Sequence, residues 1–335
     1  MGVASVTMVF DRYDKTLSIK HMEPMRRSMS HTATHVIKGT SKVPNYRKFL
    51  HNAANKAALA VYICLYIDEQ APAKLHEDES IVLAGGYEDG EKVMVVGKQV
   101  LANENLFCSH EEADTRMILH AIELSPNYSR IVVRSDDTDV LVLLLYYCSV
   151  GQLHENVYMQ SGHSGRYCNR QRFVPVSEIA QHLGRPICSS LPAAHALTGC
   201  DLTSAFFGIG KKTAYTKLVK NIQKLEGLCN IGLSSNISEV FTVARDYVLL
   251  LHGGKGPALS SLNALRYQYA CVTDKPGSLF PPQMMHLNSI CFVSTTKLHC
   301  GFTATCQSRF CGTQVEMAGG RKTTCWNLSF LNCAI

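Results

Sequence analysis

Short, mostly apolar segments alternate with longer segments of helical pattern through the first 183 residues, and this alternation limits the folds open to the chain. The predicted strands cover residues 6–10, 81–83, 93–96, 130–134 and 156–159. The predicted helices between them cover residues 46–67, 109–124, 140–147 and 176–183. Continuous apolar strands of this kind are buried on both faces of a sheet. The alternation therefore predicts an α/β fold with a mostly parallel sheet flanked by helices.

After residue 190 the pattern is helical only. Helices are predicted at 191–198, 211–220 and 237–251, and Gly208-Ile209-Gly210 separates the first two. The last 65 residues differ again, because they hold seven of the 14 cysteines. The sequence thus predicts three regions, which are an α/β core over residues 1–190, a helical region over 191–255 and a Cys-rich, poorly defined tail over 256–335.

The composition is that of a globular protein, with 46% apolar and 18% charged residues. A formal charge of +6 permits nucleic-acid binding without requiring it. The longest apolar runs, residues 57–67 and 140–148, are much shorter than the roughly 20 residues of a bilayer span. No signal-peptide pattern opens the chain, and the other seven cysteines are scattered as reduced thiols are. We expect a protein of the nucleus or cytoplasm with no membrane partner.

Acidic residues stand at predicted strand ends and at one helix start. Asp11 follows the first strand, Glu112 and Asp114 lie at the start of the helix at 109–124, and Asp137 and Asp139 follow the strand at 130–134. Because ligands bind beyond the carboxyl ends of strands in open α/β sheets, these side chains are expected to converge. Gathered carboxylates repel one another unless a cation neutralises them, and hard oxygen ligands favour Mg²⁺ or Mn²⁺. The pattern predicts a divalent-metal site suited to phosphodiester hydrolysis.

Each acidic group also has a purely structural interpretation. Glu112 is placed to pair with Arg116 at i,i+4, and Ser109 with Glu112 has the spacing of a capping box that opens the helix. Residues 136–139 have the pattern of a helix N-cap cluster. The D-x-D pattern within that cluster is also the one with which nucleotide-sugar glycosyltransferases bind Mn²⁺.

A second pattern combines glycine and lysine. Gly208 and Gly210 precede a predicted helix that begins with Lys211, Lys212 and Thr213. Backbone amides at a helix start bind phosphate, and the two lysines add positive charge. The segment predicts contact with a nucleic-acid backbone, and its alternative is a glycine-rich turn that only reverses the chain.

Five segments occur in an order that resembles the flap endonuclease family of structure-specific 5′ nucleases, within the PIN-like superfamily. They are Val9-Phe10-Asp11, Glu112-Ala113-Asp114, Asp137-Thr138-Asp139, Gly199-Cys200-Asp201 and Gly208-Ile209-Gly210-Lys211-Lys212-Thr213-Ala214. They resemble that family's V-F-D, E-A-E, D-x-D and G-S-D segments and its helix–two-turn–helix signature. The resemblance covers residues 6–220, about two thirds of the chain.

The resemblance implies a PIN-like core followed by a helix–two-turn–helix, a helix-hairpin-helix element that grips DNA and often holds K⁺. The implied ligands of Mg²⁺ or Mn²⁺ are Asp11, Glu112, Asp114, Asp137, Asp139 and Asp201. Lys20 and Arg27, which lie seven residues apart, are implied to contact the scissile phosphate. The implied DNA contacts are Gly208, Gly210, Lys211, Lys212 and Thr213.

The sequence departs from the family at its start. The family has an earlier strand that carries its first catalytic Asp, and no residue before Val6 supplies either. We therefore expect a sheet without its central strand and a metal site without one ligand, which impairs catalysis. The forms E-E-A-D-T-R, S-D-D-T-D-V and A-L-T-G-C-D also resemble uncharacterised, mobile-element-associated animal proteins.

The Cys-rich tail offers a set of zinc ligands of irregular spacing. They are His299, Cys300, Cys306, Cys311 and Cys325. Because the spacings contain no C-x-x-C knuckle, an irregular tail is expected in preference to a zinc site.

Three functional hypotheses follow from these patterns. The first is a metal-dependent nuclease that cuts flap or branched DNA, with RNA as a second substrate class. The second is a catalytically inactive nucleic-acid-binding module derived from such a nuclease. The third is a D-x-D glycosyltransferase, which leaves the glycine-lysine segment without a role.

Overall fold

The computed structural model describes residues 4–12, 33–42, 45–110, 112–162, 164–165, 168–200, 203–233, 236–253, 261–272, 281–282 and 321–327. The chain divides into two compact units, of which the first comprises residues 1–179 with 304–335 and the second residues 180–303. The division falls near residue 180, and the end of the tail belongs to the first unit. In the described ranges, no helix is both long enough and apolar enough to cross a bilayer.

The first unit contains an eight-stranded sheet. Its strands are β1 (Ser5–Val9), β2 (Ser80–Ala84), β3 (Val93–Val96), β4 (Val100–Ala102), β5 (Tyr128–Arg134), β6 (Val157–Ser161), β9 (Arg172–Pro175) and β10 (Arg321–Asn327), and a separate hairpin pairs β7 (Ser164–Gly165) with β8 (Cys168–Asn169). The strand order in the sheet is β4-β3-β2-β1-β10-β5-β6-β9. The five central strands run parallel, and antiparallel strands flank them on both sides. The predicted α/β class is thus confirmed.

The helices of the first unit are α1 (Tyr46–His51), α2 (Ala53–Gln70), α3 (Ala113–Leu124) and α4 (Thr138–Ser149). The single helix predicted at 46–67 is wrong in one respect, because Asn52 has extended backbone and divides it. The Asn52 side chain accepts hydrogen bonds from the amides of Ala54 and Asn55, and so caps α2.

Apolar packing holds α2 and α3 on the sheet. Phe10, Cys64 and Leu83 form a buried cluster that joins the end of β1, the middle of α2 and β2. α3 packs against β1, β10 and β5. The edge at which the parallel strands β2, β1, β10, β5 and β6 end is called here the carboxyl edge.

The centre of the sheet is occupied by β10, which corrects the expectation of a missing central strand. Most of the predicted Cys-rich tail lies outside the described residues. In the parallel register, Cys325 lies beside Thr7 of β1 and beside Val133 of β5. The segment reads Arg-Lys-Thr-Thr-Cys-Trp-Asn, in which threonine and tryptophan favour strands. Since it lacks the apolar run of an interior parallel strand, a search for apolar patterns does not detect it.

The second unit is helical. Its helices are α6 (Arg185–Leu197), α7 (Lys211–Lys220), α8 (Ile237–Leu251) and α9 (Leu262–Val272), and α5 (Val176–Leu183) leads into it from the first unit. The predicted ranges of α5, α7 and α8 are confirmed. The helix predicted at 191–198 instead begins at Arg185, with a proline in its first turn. The Tyr247 hydroxyl of α8 donates a 3.1 Å hydrogen bond to the carbonyl of Ala214 on α7.

The register of β10 predicts a specific cross-link. Neighbouring strands lie about 4.8 Å apart, within the Cα separation that a disulfide spans. We expect mild oxidation of the Thr7→Cys variant to join residues 7 and 325, detected as a linked peptide by mass spectrometry without reduction. Met8→Cys, which is out of register with Cys325, is the matched control. A folded Thr7→Cys protein that never forms the link would place β10 elsewhere.

Candidate metal and nucleic-acid sites

Asp11 is bonded to the start of α3. The Phe10 amide donates to the Ala84 carbonyl at 2.9 Å, which keeps the chain beside β2 for one residue beyond β1. The Asp11 carboxylate then accepts a 2.8 Å hydrogen bond from the amide of Ala113, the first residue of α3. A carboxylate at this end of a helix is stabilised by the helix dipole. Two of the predicted acidic segments, 102 positions apart in sequence, therefore meet at the carboxyl edge.

Glu112 and Asp114 flank this contact. Glu112 is the N-cap residue of α3, Asp114 lies in the first turn, and both side chains are half-buried. The capping box predicted at Ser109 is wrong, because the helix begins at Ala113 and the Asp11 carboxylate accepts the hydrogen bond from its first amide.

The helix begins later than predicted because of Arg116, which is only 1% exposed. Its Nε donates to the carbonyl of His110 at 2.7 Å, and its Nη2 donates to the carbonyls of Gly90 and Cys108, both at 2.8 Å. These bonds hold residues 108–110 outside the helix. In place of the predicted pairing with Glu112, Arg116 thus binds backbone carbonyls.

A second guanidinium packs beside the first. Arg12 donates to the Glu91 carboxylate at 3.2 Å and to the Ser109 carbonyl at 3.4 Å. A Cβ atom on Gly90 would lie 2.6 Å from the Arg12 Nε, so a larger residue here would displace the Arg12 side chain. Burial lowers the pKa of Arg116, while the carboxylates of Asp11 and Glu91 act in the opposite direction. The carboxyl edge therefore combines buried positive charge with part-exposed carboxylates.

Neither arginine belonged to the predicted site. All residues of α3 from Arg116 to Ile122 are buried. A charged residue directly before the apolar run Met117-Ile118-Leu119 is the sequence signal that could have identified Arg116 as a buried cation. His120 is among the buried residues, and burial lowers its pKa to about 3.

The acidic segment after β5 begins α4. Asp137 is the N-cap residue, and its carboxylate accepts a 2.8 Å hydrogen bond from the amide of Asp139. Asp136 accepts a 2.5 Å hydrogen bond from the amide of Gly162, which follows β6. The N-cap interpretation is confirmed for Asp137. Asp139 lies half-buried in the first turn of the helix.

The donor set of the carboxyl edge fits a hard divalent cation in its chemistry, since it consists of carboxylates that solvent can reach. Asp11, Glu112, Asp114 and Asp139 are half-buried, and Asp137 is exposed. Within the described part of the chain, no three Asp, Glu, His or Cys side chains are gathered closely enough to hold one ion. The structure thus brings Asp11 to Glu112 and Asp114 without assembling a complete ligand set from the described residues.

In the second unit, the predicted DNA contacts surround the start of α7. Gly208 has a φ of +77°, a conformation that favours glycine, whereas a Cβ on Gly210 would meet nothing within 4 Å. Gly210 is the N-cap residue of α7, and Lys212 and Thr213 are exposed in the first turn. The Lys211 ammonium donates to the His195 carbonyl at 2.6 Å, at the end of α6. Lys211 therefore joins the two helices.

Several predicted residues lie outside the described ranges. They are Lys20, Arg27, Asp201, His299, Cys300, Cys306 and Cys311. Cys325 is described as part of the β10 backbone only.

Comparison with protein-family models, curated proteins and solved structures finds no match to this chain.

The bonds of Arg116 predict a large stability effect. Arg116→Met leaves two buried carbonyls and one part-buried carbonyl without their donor, so we expect a loss of about 3 kcal/mol or more in the free energy of unfolding. Arg130→Met is the control, because this exposed arginine only lies over the Tyr158 ring, 5.6 Å from its centroid, and should cost under about 1 kcal/mol. Urea unfolding followed by circular dichroism measures both. Equal losses in the two variants would contradict the role of Arg116.

Proposed function

We propose that the chain is a divalent-metal-dependent nuclease of the PIN-like type, acting on flap or branched DNA. The observation that carries the proposal is the hydrogen bond between the Asp11 carboxylate and the Ala113 amide. It brings together two acidic segments from distant parts of the sequence at the carboxyl edge of a parallel sheet, where α/β proteins bind ligands. A DNA substrate also favours the nucleus as the compartment.

Mg²⁺ or Mn²⁺ would be held by Asp11, Glu112, Asp114, Asp137 and Asp139, and Asp201 remains a prediction for a further ligand. When bound, the ion would supply an activated water and neutralise charge on the phosphodiester. The chain's own residues hold and orient this site. Asp11 sets the start of α3 against β1, and Arg116 fixes the loops around it. No side-chain nucleophile is required by this chemistry.

The second unit supplies the proposed contact with DNA. The first turn of α7 presents amides beside Gly210. A Cβ on Gly210 would meet no atom of the described residues within 4 Å, so packing against them does not explain the glycine. Amides at a helix start bind phosphate, and a side chain on the N-cap residue would stand in the way of a close backbone approach. Lys212 adds exposed positive charge at the same turn.

The second candidate function is nucleic-acid binding without cleavage. It is favoured by the first turn of α7, where backbone amides beside Gly210 and the exposed Lys212 can bind phosphate without any metal ion. Metal-dependent cutting separates the two candidates.

The first test is cleavage of a labelled flap DNA by the folded protein with Mg²⁺ or Mn²⁺. We expect Asp11→Asn and Asp139→Asn each to lower the rate at least about a hundredfold, because each removes a proposed ligand charge. Glu123→Gln is the matched control, since it removes a carboxylate at the exposed far end of α3. A folded protein that binds the flap and never cuts it would leave only the binding function.

The Gly210 position gives a second test, which separates binding from folding. Gly210→Ala fits the open space, so we expect the unfolding free energy to change by less than about 1 kcal/mol. Binding of flap DNA, measured by fluorescence anisotropy, should weaken by roughly tenfold because the new methyl group obstructs the amides. Gly97→Ala is the control, as its Cβ would also meet only atoms 3.9 Å away. Unchanged binding by Gly210→Ala would remove α7 from the DNA contact.

A further inference from the structure

The segment that contains α7 is strongly and uniformly basic. Residues 203–225 include five lysines and no aspartate or glutamate. Lys212, Lys220 and Lys224 are exposed, and Lys217 is half-buried. Lysines on a surface segment without acidic residues create a positive potential that attracts polyanions. The glycine-lysine pattern identifies only the first turn of α7, whereas the basic surface extends to Lys224.

The exposed residues of α7 form one continuous face. Lys212, Thr216 and Lys220 follow one another at four-residue spacing, and Tyr215 lies beside them, three residues after Lys212. Tyr215 is 40% exposed. The row from Lys212 to Lys220 is about 12 Å long at 1.5 Å per residue.

A second exposed aromatic residue stands just before this face. Phe207 is 63% exposed, whereas its neighbour Phe206 is 9% exposed and contacts the His252 ring at a centroid distance of 5.8 Å. Phe206 therefore anchors the turn, and Gly208 then redirects the chain. Because the packing of Phe206 and the turn at Gly208 fix the chain on both sides of Phe207, the Phe207 side chain is left exposed.

We infer that α7 and the turn before it bind single-stranded nucleic acid, with the lysines on phosphates and with Phe207 and Tyr215 stacked on unpaired bases. Aromatic side chains among lysines bind single strands because every unpaired base offers a face for stacking, whereas the bases of a continuous duplex are already stacked on one another. The inference rests on the proposed function, because it assigns this surface to the unpaired strand of a branched substrate.

The test compares two probes on the full chain by fluorescence anisotropy, an oligothymidylate of about 12 nucleotides and a blunt-ended duplex of two separate strands. We expect tighter binding of the oligothymidylate. Phe207→Ala and Tyr215→Ala should each weaken it by roughly tenfold, with less than about threefold effect on the duplex. Tyr267→Ala is the matched control, since this residue of α9 is 73% exposed and lies outside the basic segment.

Lysine variants test the electrostatic part. Lys212→Ala and Lys220→Ala should weaken binding of both probes and reduce the slope of log affinity against log salt by about 0.7 for each lysine on a single strand. Duplex binding equal to or tighter than single-strand binding, or no effect of the two aromatic variants, would overturn this inference and leave the proposed nuclease intact. Failure of every probe, the flap DNA included, to bind would overturn the proposed function as well.

Discussion

The guanidinium of Arg116 is the interaction on which the carboxyl edge of the first unit depends. It joins the loop at Gly90 to residues 108–110 and to α3, which follows them. A buried cation is costly unless hydrogen bonds and opposite charges surround it. Asp11 and Glu91 supply that opposite charge. At least part of the acidic character of this edge therefore has a structural cause that is independent of any metal.

The elements with strong periodic patterns could be predicted from the sequence. The ranges of α5, α7 and α8 agree with the prediction because their apolar residues repeat at helical spacing and glycine or asparagine stands at the boundaries. The strands at residues 81–83 and 93–96 were also predictable, because they are short apolar runs on either side of a glycine-rich turn. β10 could not be predicted in this way, because its place in the sheet depends on pairing with the apolar strands β1 and β5 and not on its own composition.

The candidate sites were predictable in residue type and only partly in geometry. The rule that strand ends share an edge predicts the proximity of Asp11 to the start of α3, which the bond to Ala113 confirms. The contacts of Arg116 with Gly90 and of Lys211 with His195 are bonds from side chains to distant carbonyls. Such bonds leave no repeating pattern in a sequence. The later start of α3 and the bond between α6 and α7 therefore could not be predicted from the sequence.

The place of β10 in the sheet has a kinetic consequence. Ser5 of β1 lies beside Thr323 of β10, so closing this contact brings together residues separated by almost the whole chain. During synthesis β1 and β5 leave the ribosome long before β10 does, and each then has an unpaired edge in the middle of the future sheet. Unpaired apolar edges associate with other chains, so we expect the nascent protein to be prone to aggregation until β10 is made. Slow folding and low recovery from denaturant are the expected signature of this topology.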